Sequence, residues 1–157
     1  MSESGRIRVA KDKADFVKAL ISDDGGNGPF QTFADVIVFA AALGAKYNKR
    51  VSVDEVSKRE PTPIRLEIFA ASGYDIVIKL LGITETQDIQ ILSPDDEDWQ
   101  KKCNGIFEEY ANGGLEILQG ELRGSIDYTN TILLFLQHEK LNHKSEDEEF
   151  DLTRFLS

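Results

Sequence analysis

The chain has 157 residues, 41% apolar and 29% charged, with a formal net charge of -10. That length is enough for one domain with a real core, and the acidic total argues against a protein coated in nucleic acid. A single cysteine and two histidines provide neither an internal disulfide nor a set of metal ligands.

The start, Met1-Ser2-Glu3-Ser4-Gly5, is polar and lacks the apolar core of a signal peptide, so the expected setting is cytoplasmic. Arg6-Ile7-Arg8-Val9-Ala10-Lys11 alternates basic with apolar, the period of a strand with one buried face and one wet face. Arg6, Arg8 and Lys11 fall on the wet side. Asp12 then opens a helix with Asp15 in its first turn, and Phe16, Val17, Leu20 and Ile21 form one apolar stripe. Asp23-Asp24-Gly25-Gly26-Asn27-Gly28-Pro29 is a loop, and without a Lys-Ser/Thr ending it is not a phosphate loop. Strand, helix, glycine loop and capped helix in this order resemble a ribbon-helix-helix unit, in which two copies pair their strands in the DNA major groove.

The segment from Thr32 to Ala45 holds one charge, Asp35, in an otherwise apolar run. Thr32 with Asp35 three residues on is a helix cap. A helix apolar on every face, yet too short for a bilayer, belongs at the centre of a core. Lys46-Tyr47-Asn48-Lys49-Arg50 is a basic turn, Val51-Ser52-Val53 reads as a brief strand, and Pro61 and Pro63 rule out a continuous helix through the charged loop 54–63.

Ile64 to Ala71 reads as a short helix ending before Gly73. Residues 74–81 fit helix or strand: β-branched residues favour strand, while the paired leucines and neighbouring helices favour helix, the reading adopted. Ile89 to Leu92 is a short extended connection. Ser93-Pro94-Asp95-Asp96 starts another helix, with Trp99, Cys103, Ile106, Phe107 and Tyr110 on one face. Asn112-Gly113-Gly114 predicts a break or kink before a second segment over 115–122, because glycine inside a helix costs about 1 kcal/mol relative to alanine. A last amphipathic helix spans 128–141. Residues 142–157 read as a flexible acidic tail whose Phe150, Leu152, Phe155 and Leu156 are spaced like a short peptide that docks in a partner's groove.

Charge divides unevenly along the chain. Up to Arg65 there are 11 basic and 9 acidic residues, and beyond it 7 and 19. An anionic partner should therefore meet the first part, through Arg6, Arg8, Lys11, Lys13, Lys46, Lys49, Arg50, Lys58 and Arg59. Carboxylate pairs such as Glu108 with Glu109 point in different directions on a helix and do not converge on one substrate atom. Cys103 has no histidine near it in sequence and reads as a core residue. No catalytic residue, metal site or cofactor is assigned.

Several stretches taken together resemble the bacterial DNA phosphorothioation-associated (Dnd system-associated) protein 4 family: Arg6 to Lys13, Gly28 to Asp35, Lys58 to Pro61, Leu92 to Asp96 and Ile106 to Leu115. They run in order from residue 6 to about residue 140. The resemblance implies a small accessory protein of systems that exchange a non-bridging DNA phosphate oxygen for sulfur, or that restrict DNA lacking the mark. It supplies no catalytic residues.

The expectation is a mainly α domain, compact around the 32–45 helix, over residues 1–141, with a short N-terminal β-strand and the acidic tail. The leading function is a non-enzymatic, DNA-contacting accessory factor. The alternative is an adaptor that binds a larger protein of the same system through its acidic surface or its C-terminal peptide. A third reading is a ribbon-helix-helix regulator acting as a homodimer through residues 6–11. No membrane role is expected.

Overall fold

A computed structural model describes residues 5–22, 27–88 and 97–149, with side chains described as far as Asn142. The fold is mainly helical with a two-stranded antiparallel sheet. In chain order come β1 (Arg6–Ile7), a 3₁₀ turn at Lys11–Lys13, α1 (Ala14–Ala19), α2 (Phe33–Lys46), β2 (Ile64–Arg65), α3 (Leu66–Ala71), α4 (Asp75–Thr86), α5 (Glu97–Glu121) and α6 (Tyr128–Glu149). Residues 75–81 are thus helical, within α4, with Tyr74 at its N-cap.

The alternation at the N-terminus does what its period predicts on the apolar side, with Ile7 and Val9 buried. β1 takes its antiparallel partner from its own chain: Arg6 lies opposite Arg65, and Ile7 opposite Ile64. A ribbon-helix-helix unit draws its second strand from another copy, whereas this ribbon is completed within one chain. The pairing continues past the strand ends, as the Ser57 amide donates to the Val9 carbonyl and the Lys11 amide to the Glu55 carbonyl, both at 2.8 Å.

α2 is the central helix, and its predicted cap is present. The Thr32 hydroxyl accepts from the Asp35 amide at 3.1 Å, and the Asp35 carboxylate accepts from the Thr32 amide at 3.2 Å. Two donors that a helix start leaves orphaned are thereby satisfied. Asp35 also accepts the Tyr74 hydroxyl at 2.7 Å, tying the cap to the start of α4. Ala34, Val36, Ile37, Ala40, Ala41, Leu43 and Gly44 of α2 are all buried. Val17 and Leu20 of the α1 region join the same cluster, as do Phe69 and Phe107, whose rings meet edge to face at 5.7 Å.

The predicted break at Asn112-Gly113-Gly114 is absent, and α5 runs unbroken for 25 residues. The glycines serve a different purpose. A Cβ on Gly114 would collide with the Ala40 carbonyl of α2, one on Gly113 with the Lys49 carbonyl, and one on Gly44 with the Tyr110 carbonyl. Gly44 and Gly114 therefore let the backbones of α2 and α5 approach without a layer of side chains between them, and Gly113 does the same for the turn after α2. The helix cost of glycine is real, but the packing gained at the crossing outweighs it.

Three further sequence expectations change. Val51-Ser52-Val53 forms no strand; the Val51 amide donates to the Glu109 carbonyl at 3.0 Å, and Asn112 Nδ2 donates to the Val51 and Ser52 carbonyls, so α5 satisfies this segment. Ile64 and Arg65 are in β2, with the short helix beginning at Leu66. The last helix extends to Glu149 instead of ending at 141. The 89–92 connection, the Ser93-to-Asp96 cap, most of the 23–29 loop, and Phe150, Leu152, Phe155 and Leu156 lie outside the described residues.

Gly114→Ala should destabilise the fold by about 3 kcal/mol or more, since neither backbone at the crossing can yield. Gly120→Ala, on the same helix with open space where its Cβ would go, should be neutral or stabilising by up to about 1 kcal/mol. Urea unfolding of both variants measures the contrast.

Candidate nucleic-acid interface

Nine basic side chains stand out in the sequence, and the structure divides them. Arg8 turns away from the wet face on which alternation places it. Its Nη2 lies 2.9 Å from Glu108 Oε1, its Nε 3.1 Å from both carboxylate oxygens, and its backbone amide 2.6 Å from Oε2. Glu108 is only 4% exposed, so the guanidinium neutralises a carboxylate inside the protein. Lys13 is similarly sunk, with its side chain 3% exposed and its ammonium 2.9 Å from Asp12 and 3.7 Å from Glu116. Glu116 also holds Lys49 at 3.2 Å.

The basic turn after α2 is clamped as well. Lys46 pairs with Glu139 of α6 at 2.5 Å, and the Tyr47 hydroxyl donates to the same carboxylate. That hydrogen bond, followed by burial, pushes the Tyr47 hydroxyl up to about 12, while the hydrogen bond from Lys46, and then that from Tyr47, hold Glu139 below the usual carboxylate range. Arg50 reaches Glu85 at 2.6 Å and Glu109 at 3.1 Å, with its guanidinium 5.6 Å from the centre of the Tyr110 ring. The Tyr110 hydroxyl donates to Glu85 at 2.6 Å. This bond, and then Arg50, draw Glu85 below its ordinary range. Each partner comes from the acidic second part of the chain, so much of the charge split closes on itself.

Three of the nine, Arg6, Lys58 and Arg59, are exposed and make no ion pair among the described residues. Lys11 meets Glu55 at 3.2 Å with both side chains well exposed, a pairing worth little against solvent. The bonds from residues 9–11 to residues 55–57 bring these four onto one ribbon, although they come from stretches some fifty positions apart. The buried Ser57 hydroxyl donates to the Arg59 carbonyl at 2.7 Å and fixes the turn that presents Lys58 and Arg59. Beside them lies a cavity of about 720 Å³ lined by Lys11, Asp15, Glu55, Lys58 and Arg59.

Sequence reasoning missed the carboxylates that decide this division: Glu85, Glu108, Glu109, Glu116 and Glu139. It also passed over Arg65, which faces Arg6 across the ribbon. The only signal was the opposite charge of the two parts of the chain. Cys103 is buried as expected, its sulfur 3.0 Å from the Ile78 carbonyl, and burial pushes its thiol up to about 11. Among the described residues no three metal-ligating side chains gather, and no helix is long and apolar enough to cross a membrane.

Arg8→Ala leaves Glu108 without its cation and should cost about 2–4 kcal/mol of stability, the upper end tempered by the partial exposure of Arg8. Lys58→Gln and Arg59→Gln should each stay within about 0.5 kcal/mol of the parent. Chemical denaturation separates the two classes of cation.

Comparison with curated proteins and with solved structures finds no match to this chain. A family model described as DNA sulphur modification system-associated protein 4 matches residues 6–155, nearly the whole chain. The protein belongs to the DNA sulphur modification system-associated protein 4 family.

Proposed function

We propose that the protein is a non-catalytic accessory factor of a DNA sulphur modification system that meets DNA along the ribbon bearing Arg6, Lys11, Lys58 and Arg59. One observation carries the reading: the pairing of residues 9–11 with 55–57 gathers cations that no buried carboxylate neutralises. Lys46, Lys49 and Arg50, by contrast, are held by Glu139, Glu116, Glu85 and Glu109, so a phosphate would have to displace a partner already in place. A non-catalytic role is supported by Cys103, whose thiol is buried and kept protonated.

The contact predicted is small, local and electrostatic. Fluorescence anisotropy on a short labelled duplex should show binding at low salt that weakens steeply as salt rises, each phosphate contact adding about 0.9 to the logarithmic slope. Combining Arg6→Gln, Lys58→Gln and Arg59→Gln should lower that slope by about 3. Lys49→Gln should leave it unchanged. Absence of binding to plain, nicked and phosphorothioated duplex alike sinks the reading.

A second reading, an adaptor for another protein of the system, is favoured by α6. Ile132 is buried on its inner side, while Leu133, Leu134, Leu136 and Leu141 are between 41% and 66% exposed. A helix apolar on opposite sides is ordinarily covered on both. Co-purification from the native host should then capture a protein of the system. Leu134→Glu with Leu141→Glu should lose it without moving the urea midpoint, and retention of the partner by that variant contradicts the adaptor role of α6.

A further inference from the structure

We propose that the groove between the ribbon and the start of α2 seats a phosphorothioate diester of DNA, with Arg6 and Arg65 on its negative charge and its sulfur against the groove's apolar side chains. The inference rests on the DNA reading above and assigns it a sulfur-sensing site.

Arg6 and Arg65 are direct cross-strand partners, so their side chains leave the same face with Cβ atoms roughly 5 Å apart. Like charges in that relation are destabilising unless something neutralises them. The carboxylate near them is Glu67, 3.5 Å from Arg65, in a pair whose two side chains are both well exposed. Arg6 has no ion pair among the described residues. Two guanidinium groups held side by side in this way offer a fork for one shared anion.

Both arginines line a cavity of about 590 Å³ to which Phe33, Pro63 and Ile68 bring apolar surface and Gln31, Thr32 and Thr62 polar groups. Glu60 is the carboxylate on its rim. Ile68 is 47% exposed here, an apolar side chain left facing the groove. Phe33 and Ala34, the first two residues of α2, complete the lining. Their amides are outside the capping box, which uses those of Thr32 and Asp35, and they stand at the positive end of the helix.

An ordinary phosphodiester fits the arginines but gains nothing from the apolar side chains, because both of its non-bridging oxygens need hydrogen bonds or water. Exchanging one oxygen for sulfur keeps the single negative charge. It replaces a strongly hydrated atom by a larger, softer one that accepts hydrogen bonds poorly and tolerates apolar contact. A site that sets cations beside Phe33, Pro63 and Ile68 therefore favours the sulfur ester. The two phosphorothioate configurations direct the sulfur differently, and a chiral site of this kind accepts one of them.

The test uses the full-length protein and short duplexes that are identical except at one linkage: plain, or carrying the phosphorothioate in either separated configuration. One configuration should bind at least about threefold tighter than plain duplex, and the other should match plain duplex. Ile68→Asn should abolish that gain, so that all three duplexes bind this variant alike. Arg6→Gln with Arg65→Gln should weaken all three. Equal affinity for all three duplexes, or an equal gain for both configurations, overturns the sulfur site while the DNA reading stands. Failure to bind any duplex overturns the DNA reading and the site with it.

Discussion

Everything else in this protein depends on how closely α2 and α5 cross. Gly44 and Gly114 remove the side chains that would otherwise hold the two backbones apart, with the Tyr110 and Ala40 carbonyls occupying the space, and Gly113 admits the Lys49 carbonyl of the turn after α2. The crossing sets α2 deep in the core and brings the other face of α5 up against the N-terminal segment and the turn after α2. Asn112, beside the two glycines, then binds the Val51 and Ser52 carbonyls, so the chain leaving α2 is fixed by the same stretch of α5. A looser crossing would move Glu108, Glu109 and Glu116 away from the cations they neutralise.

That placement explains a charge distribution that is puzzling in one dimension. The basic first part and acidic second part do not form two faces for two partners. They interlock, with Arg8 on Glu108, Lys13 and Lys49 on Glu116, Arg50 on Glu85 and Glu109, and Lys46 on Glu139. Breaking a buried pair leaves an uncompensated charge, so Arg8 and Lys13 are committed to the fold. What remains outside is a ribbon whose neighbouring carboxylates, such as Glu55 and Glu67, are themselves exposed, and a groove where two arginines stand opposite each other at some cost to the sheet. Sites that violate a local stability rule are where function is to be sought.

The sequence made local features legible and hid those that depend on distant contacts. Thr32 and Asp35 announce the start of α2 because both cap bonds lie within four residues, and Ile7 and Val9 reveal their burial by simple alternation. Gly113 and Gly114 mislead for the same reason: their helix propensity is a local quantity, whereas their purpose is the backbone of α2 and of the turn after it, more than sixty positions earlier. Arg8 and Glu108 are 100 positions apart, and no spacing rule links them. Val51 to Val53 has the composition of a strand but finds its hydrogen bonds on a helix. The family resemblance was legible from collinear motifs, and the matching family model covers the stretches that carried it.

On the proposed reading, the α2–α5 crossing sorts cations into those that hold the fold and those left for DNA. A backbone amide NMR titration of the labelled protein with short duplex tests this most directly. The account predicts shifts confined to residues 6–11, 55–68 and the first turn of α2, with Lys46, Lys49 and Arg50 undisturbed. Shifts centred on residues 46–50 or on α6, with the ribbon silent, would contradict it.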